Sequence, residues 1–135
     1  VLSSILAGIF TSVETSINSQ LGKYLTPSIA TLHSLATGMV FMLLIGLIRG
    51  SLGRYLKVAT VNPLWLMGGF FGAFIIYLSS KAIPVLGVSR ALTLVLAGQI
   101  ISGLFIDAFF YRMDVGWEKI GGVLLFLLGV HLIIK

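Results

Sequence analysis

Glu14 is the residue whose surroundings most invite chemistry. It is the only charged side chain before Lys23. In a helix it lies roughly 20 Å along the axis from Val1. Thr11, Glu14, Thr15 and Asn18 follow one another at i, i+3, i+4 and i+7, so a helix places all four on one polar stripe. A carboxylate at that depth in hydrocarbon is costly, and by default it faces a bundle interior or a wet cavity. Such a group is suited to exchanging a proton for a substrate cation. The plainer alternative is a structural pairing of Glu14 with a neighbour, or water reaching this end of the helix.

Other residues offer binding rather than reaction. His33, Ser34, Thr37 and Gly38 lie close together, and His33 and Thr37 share a helix face at i, i+4. His33 can relay a proton or line a site, although it stands only about one and a half turns in from Pro27. Tyr77 and Ser80 are placed to face a cavity. Gln99 both donates and accepts hydrogen bonds, which suits a substrate contact and a helix–helix contact equally. Arg90 reads as a snorkelling side chain, and Asp107 as a cap or a partner for Arg112. His131 reads as interfacial. Two histidines far apart in sequence, with no cysteine, give no metal-binding pattern, and neither a metal nor a cofactor is expected. No nucleophile–base pair stands within the apolar runs, so an enzyme is not expected.

These residues require helices in a membrane to position them. Of 135 residues, 58% are apolar and only 10% are charged, and the mean hydropathy is +1.11. A water-soluble domain carries about 25% charged residues to cover its core. The net charge of +5 is scattered between apolar runs, which excludes a nucleic-acid module. Uncharged stretches separate Lys23 from Arg49, Lys57 from Lys81, and Arg90 from Asp107, and another runs from Ile120 to Ile134. Each approaches the roughly 20 residues of a spanning helix. The reading is an all-α integral membrane protein with a single transmembrane domain over 1–135. It has five spans, about 1–21, 27–48, 63–83, 86–110 and 117–134. Thr26-Pro27 and Asn62-Pro63 mark helix starts. Pro84 and Gly87 separate spans 3 and 4. Residues 111–116 form the turn before span 5. Gly50, Ser51 and Gly53 lie in the longest loop. Trp65 and Trp117 sit at span starts, at the headgroup level. The first segment runs past Gln20 without a clear cleavage site and is read as a span, not a signal peptide.

Glycines supply the seams. Gly68 with Gly72, and Gly69 with Ala73, are small-xxx-small pairs that let helices approach closely. Gly122 and Gly129 repeat at seven residues with only apolar residues between them, as expected of an oligomerisation helix. Five spans put the termini on opposite sides. Arg49, Arg54, Lys57, Arg112 and Lys119 then face one side, and Lys23, Lys81, Arg90 and Lys135 the other. This near tie predicts insertion both ways up, and hence an antiparallel, dual-topology homodimer built as an inverted repeat. The alternative is one orientation fixed by the loop carrying Arg49, Arg54 and Lys57.

The run Leu96-Ala97-Gly98-Gln99-Ile100-Ile101-Ser102-Gly103-Leu104-Phe105-Ile106-Asp107 resembles the signature of the YdcZ-type family, a five-helix branch of the drug/metabolite transporter superfamily. Gly8 through Asn18 to Leu21-Gly22, Leu32-His33-Ser34 to Gly38, and Gly68-Gly69 to Gly72 resemble it as well, so the likeness covers essentially the whole chain. It implies a small membrane protein that occurs as dual-topology chains, paired homologues or fused repeats. Glu14 is similarly placed to the essential carboxylate of the small multidrug resistance exporters, and Gly122 through Gly129-Val130 is similar to their dimerising seam. The YdcZ-type pattern commonly carries Gln at the position of Glu14, a departure in this chain.

The expectation is therefore a small secondary transporter of a small organic solute or cation in the bacterial cytoplasmic (inner) membrane. Its partners are the lipid bilayer, a small-molecule substrate and a second, antiparallel copy. Glu14 would be the proton and substrate site, with Asn18, His33, Gln99 and Tyr77 orienting the substrate. Gly122, Gly129, Gly68 and Gly72 would pack the helices or the dimer. The alternatives are a proton-independent facilitator of a neutral or aromatic metabolite, or a passive channel or non-transporting membrane subunit. A channel would call for a ring of like charges or a polar filter loop, and neither is evident.

Overall fold

The computed structural model describes residues 1–114 and 116–135. It consists of helices α1 (Leu2–Tyr24), α2 (Pro27–Ile48), α3 (Gly68–Leu86), α4 (Val88–Phe109) and α5 (Trp117–Ile134). Two 3₁₀ segments, Leu52–Thr60 and Pro63–Met67, join α2 to α3. The described residues contain no strand. The helices form two compact units, Val1–Val85 and Leu86–Lys135.

Local chemistry explains most boundaries. The Thr26 side chain accepts from the Ile29 N–H at 3.3 Å, and Pro27 follows at the first helical position. Asn62 Oδ1 accepts from the Leu64 N–H at 3.0 Å, but the turn it starts is 3₁₀, and α3 proper begins only at Gly68. The helix also runs on through Pro84, which stands in its last turn instead of ending it. The break falls at Gly87, whose φ of +81° suits a residue without a Cβ. Residues 49–62, read from the sequence as a plain loop, are largely ordered into 3₁₀ turns.

Four segments are long and apolar enough to cross a membrane: Pro27–Ile48, Pro63–Leu86, Val88–Phe109 and Trp117–Ile134. The α1 helix is not among them, although its 23 residues give it the length. Its serines, threonines, Glu14 and Asn18 make it the polar helix of the chain.

Most of the buried residues are small or hydroxylated. In the first unit they include Thr15, Asn18, Ser19, Ala30, Thr31, Ser79, Ser80 and Ile83; in the second, Ala91, Ala97 and Val130. Phe, Leu, Ile and Met side chains point outward along every helix. Helices in lipid gain nothing by hiding Leu from a Leu-like solvent, so small side chains that permit close approach occupy the contacts. The sequence pairs Gly68/Gly72 and Gly122/Gly129 are not among these contacts. A Cβ built on any of the four meets nothing within 4 Å among the described residues.

Candidate functional site

Hydroxyl groups on α1 are mostly satisfied within the helix. Thr11, Ser12, Thr15 and Ser16 each donate to the carbonyl one turn back, at 2.7 to 3.1 Å. These residues need no outside partner in a membrane. The same holds for Thr31 and Thr37 on α2, and for Thr93 and Ser102 on α4. Two side chains of the α1 polar stripe behave differently. Asn18 Nδ2 donates to Ser34 Oγ on α2 at 3.1 Å, and Ser34 Oγ donates to Glu14 Oε1 at 3.3 Å. Ser34 thus departs from the back-bonding habit and ties two residues of α1, four positions apart, to α2.

This relay lies along an open groove of about 660 Å³ between α1 and α2. Glu14, Asn18, His33, Ser34 and Thr37 supply its polar lining, and Phe10, Val13, Ile17 and Leu21 its apolar wall. Asn18 is buried and Ser34 half-buried, whereas Glu14 is exposed within the single chain. The expected polar stripe is therefore present, but its carboxylate opens outward on a groove and is not sealed inside the unit. The arrangement can hold a cation at Glu14 against an apolar surface, with amide, hydroxyl and imidazole groups beside it.

The candidate residues divide among three places. Glu14, Asn18 and His33 line the groove together. Tyr77 lies in a second, smaller groove of about 350 Å³ with Ser28, Thr31, Ala73 and Phe74. The Lys81 ammonium stands 5.2 Å from the Tyr77 ring centroid, a cation–π distance. Gln99 is exposed on α4 in the second unit, where its backbone carbonyl accepts from Ser102 Oγ. Asp107 and Arg112 form no ion pair; instead the Asp107 carbonyl accepts from the Met113 N–H. Among the described residues no three of His, Asp and Glu come together in a way that would hold a metal ion.

The sequence groups Ser34 with His33, Thr37 and Gly38 but does not place it among the residues expected to orient the substrate. The available signal is weak: Ser34, Thr37 and Gly38 at i, i+3 and i+4 make a small polar stripe on α2.

Residues 1–132 match the model of a family described as "Putative inner membrane exporter, YdcZ". No curated protein and no solved structure matches the chain.

Proposed function

The chain belongs to the YdcZ family and is an integral protein of the inner membrane, and from that premise we propose a small secondary transporter of an organic solute or cation with Glu14 as its exchange site. One observation carries this reading: the Asn18–Ser34–Glu14 relay joins two helices along a groove in which Glu14 is the only acid among the described residues. The hydroxyls of Thr11, Ser12, Thr15 and Ser16 bond to the carbonyls of their own helix, whereas the relay reaches across to a second helix and ends on a carboxylate.

In this reading α1 is the fifth span, and its polar face is turned away from lipid. An open carboxylate within a span needs water or another protein surface opposite it. An antiparallel second copy supplies that surface, in keeping with the near-equal distribution of Lys and Arg. Glu14 of each copy then binds either a proton or a cation. Exchange follows from rocking between inward-open and outward-open states. Gly122 and Gly129, open within the chain, pack against the partner.

The test is binding of a lipophilic cation, tetraphenylphosphonium, to the full chain in detergent, with proton release followed alongside. Binding should release protons and strengthen as pH rises, because the cation replaces the proton on Glu14. Glu14→Gln should remove the pH dependence and the proton release while leaving the oligomer intact. An unchanged pH dependence in that variant overturns the proton role.

A further inference from the structure

We propose that the 3₁₀ segment Leu52–Thr60 is a binding site for anionic phospholipid headgroups, held at the membrane surface where α2 ends. The proposal is independent of the transport reading and uses none of the residues of the Glu14 groove.

The stop of α2 fixes where this segment lies. Gly50 takes a φ of +62°, the Gly50 N–H bonds to Leu47 O at 3.1 Å, and the Ser51 N–H bonds to Gly46 O at 3.0 Å. This 6→1 and 5→2 pair is the Schellman arrangement, and it turns the chain back on the helix it has just left. Leu52 then packs over Gly46: a Cβ at Gly46 would come within 2.7 Å of Leu52 Cδ2. The segment is thereby anchored to the last turn of a membrane-spanning helix, at headgroup depth.

The sequence of the segment fits that depth. A 3₁₀ helix has three residues per turn, so i and i+3 eclipse. Leu52, Tyr55 and Val58 form one row; Gly53, Leu56 and Ala59 a second; Arg54, Lys57 and Thr60 a third. Leu52 and Val58 are half-buried, on the side that meets the unit. Tyr55 and Leu56 are 73% and 82% exposed. Arg54 and Lys57 are exposed side by side, with Arg49 just before the turn. The result is two apolar rows and one basic row lying at the hydrocarbon edge.

Charge complementarity names the occupant. The sequence contains no Asp or Glu between Glu14 and Asp107, so the basic row has no acid nearby in the chain. A guanidinium binds a phosphate oxygen pair in a fork, and an ammonium adds a point charge. Lys and Arg beside a bilayer are drawn to its anionic lipids. With Tyr55 and Leu56 exposed next to the cations, the anion the site meets is one carried on an acyl chain, which points to a lipid over a free phosphate.

The test uses Trp65, which stands just after the segment in Pro63–Met67 and is exposed. Trp117→Phe leaves it as the sole tryptophan. The full chain is reconstituted in phosphatidylcholine vesicles containing equal fractions of dibrominated phosphatidylglycerol or dibrominated phosphatidylcholine. Bromine quenches Trp65 from lipids in contact with this region. The phosphatidylglycerol should quench more, with a relative association constant up to about fivefold per cation, falling as salt is raised. Arg54→Gln with Lys57→Gln should bring the ratio close to one, with quenching by brominated phosphatidylcholine retained. Arg112→Gln with Lys119→Gln should leave the ratio unchanged. Equal quenching in the parent, or a preference that survives loss of both Arg54 and Lys57, overturns the proposal. If the double Gln variant misfolds, the single variants Arg54→Gln and Lys57→Gln decide: a lowered ratio in each supports the site, and an unchanged ratio in both sinks it.

Discussion

Ser34 Oγ donates to Glu14 Oε1 across the α1–α2 contact at 3.3 Å. The direction of that bond matters. An ionised carboxylate accepts only, so Ser34 has to give its proton, while its lone pairs receive Asn18 Nδ2 at 3.1 Å. In the proposed exchange a protonated Glu14 would be able to donate to Ser34 instead. Under that exchange, Ser34 is the hydroxyl through which a change at Glu14 would reach α2.

Ser34→Ala removes the donor. Hydrogen bonds to charged groups contribute about 1.5–3 kcal/mol, and the open groove places this one at the lower end. Tetraphenylphosphonium affinity at high pH should fall about tenfold, and Ser34→Thr should restore most of it. Isothermal titration of the three proteins gives the comparison. Equal affinities for wild type and Ser34→Ala would show that the relay carries no weight.

Gly46 is tied to the anchoring of the basic segment. Gly46→Val should force Leu52 off the helix, at a cost of about 1–3 kcal/mol if the overpacked contact stays. The chain has no cysteine, so Val58→Cys provides a unique label at a half-buried position of the segment. Its reaction with a membrane-impermeant maleimide should accelerate in the Gly46→Val background. An unchanged rate would mean that Leu52 does not hold the segment down.

Orientation can be read with paired C-terminal reporters, one active only in the cytoplasm and one only outside it. Both should report for the wild-type chain. A single Lys added to one loop should shift the balance, because the existing distribution is nearly even. Signal from one reporter alone would contradict dual insertion and call for an oppositely oriented partner chain.

Gly122→Leu and Gly129→Leu fill surfaces that are empty within the chain. Cross-linking between copies should fall, while helix content by circular dichroism stays the same. Undiminished cross-linking would move the seam elsewhere.

Much of the helical layout follows from the residues themselves. Thr26-Pro27 marks the start of α2, and the apolar run from Trp117 coincides with α5. Such features are local: a cap, a fixed φ, a missing Cβ. The 3₁₀ turns were hidden because their period of three, carried by Arg54/Lys57 and by Leu52/Tyr55/Val58, differs from the helical and strand periods. Glu14 and Asn18 could be grouped in advance because they share one helix. Ser34 could not be added, since its place opposite Glu14 depends on how α1 and α2 pack. Polarity and position along a span point to Tyr77 and Gln99, but neither specifies which way a side chain faces. The structure places Tyr77 in a different groove and Gln99 in the other unit.

The small-residue contacts also bear on calorimetry. Ala30, Ile83, Ala91, Ala97 and Val130 are the buried apolar residues among those described. Unfolding in a micelle therefore transfers little hydrocarbon into water. The heat-capacity increment should fall well below the roughly 12–15 cal/mol/K per residue of water-soluble domains, and the slope of stability against urea should be shallow. A chain held together in this way has a stability curve with little curvature, so its cold side rises toward no nearby maximum.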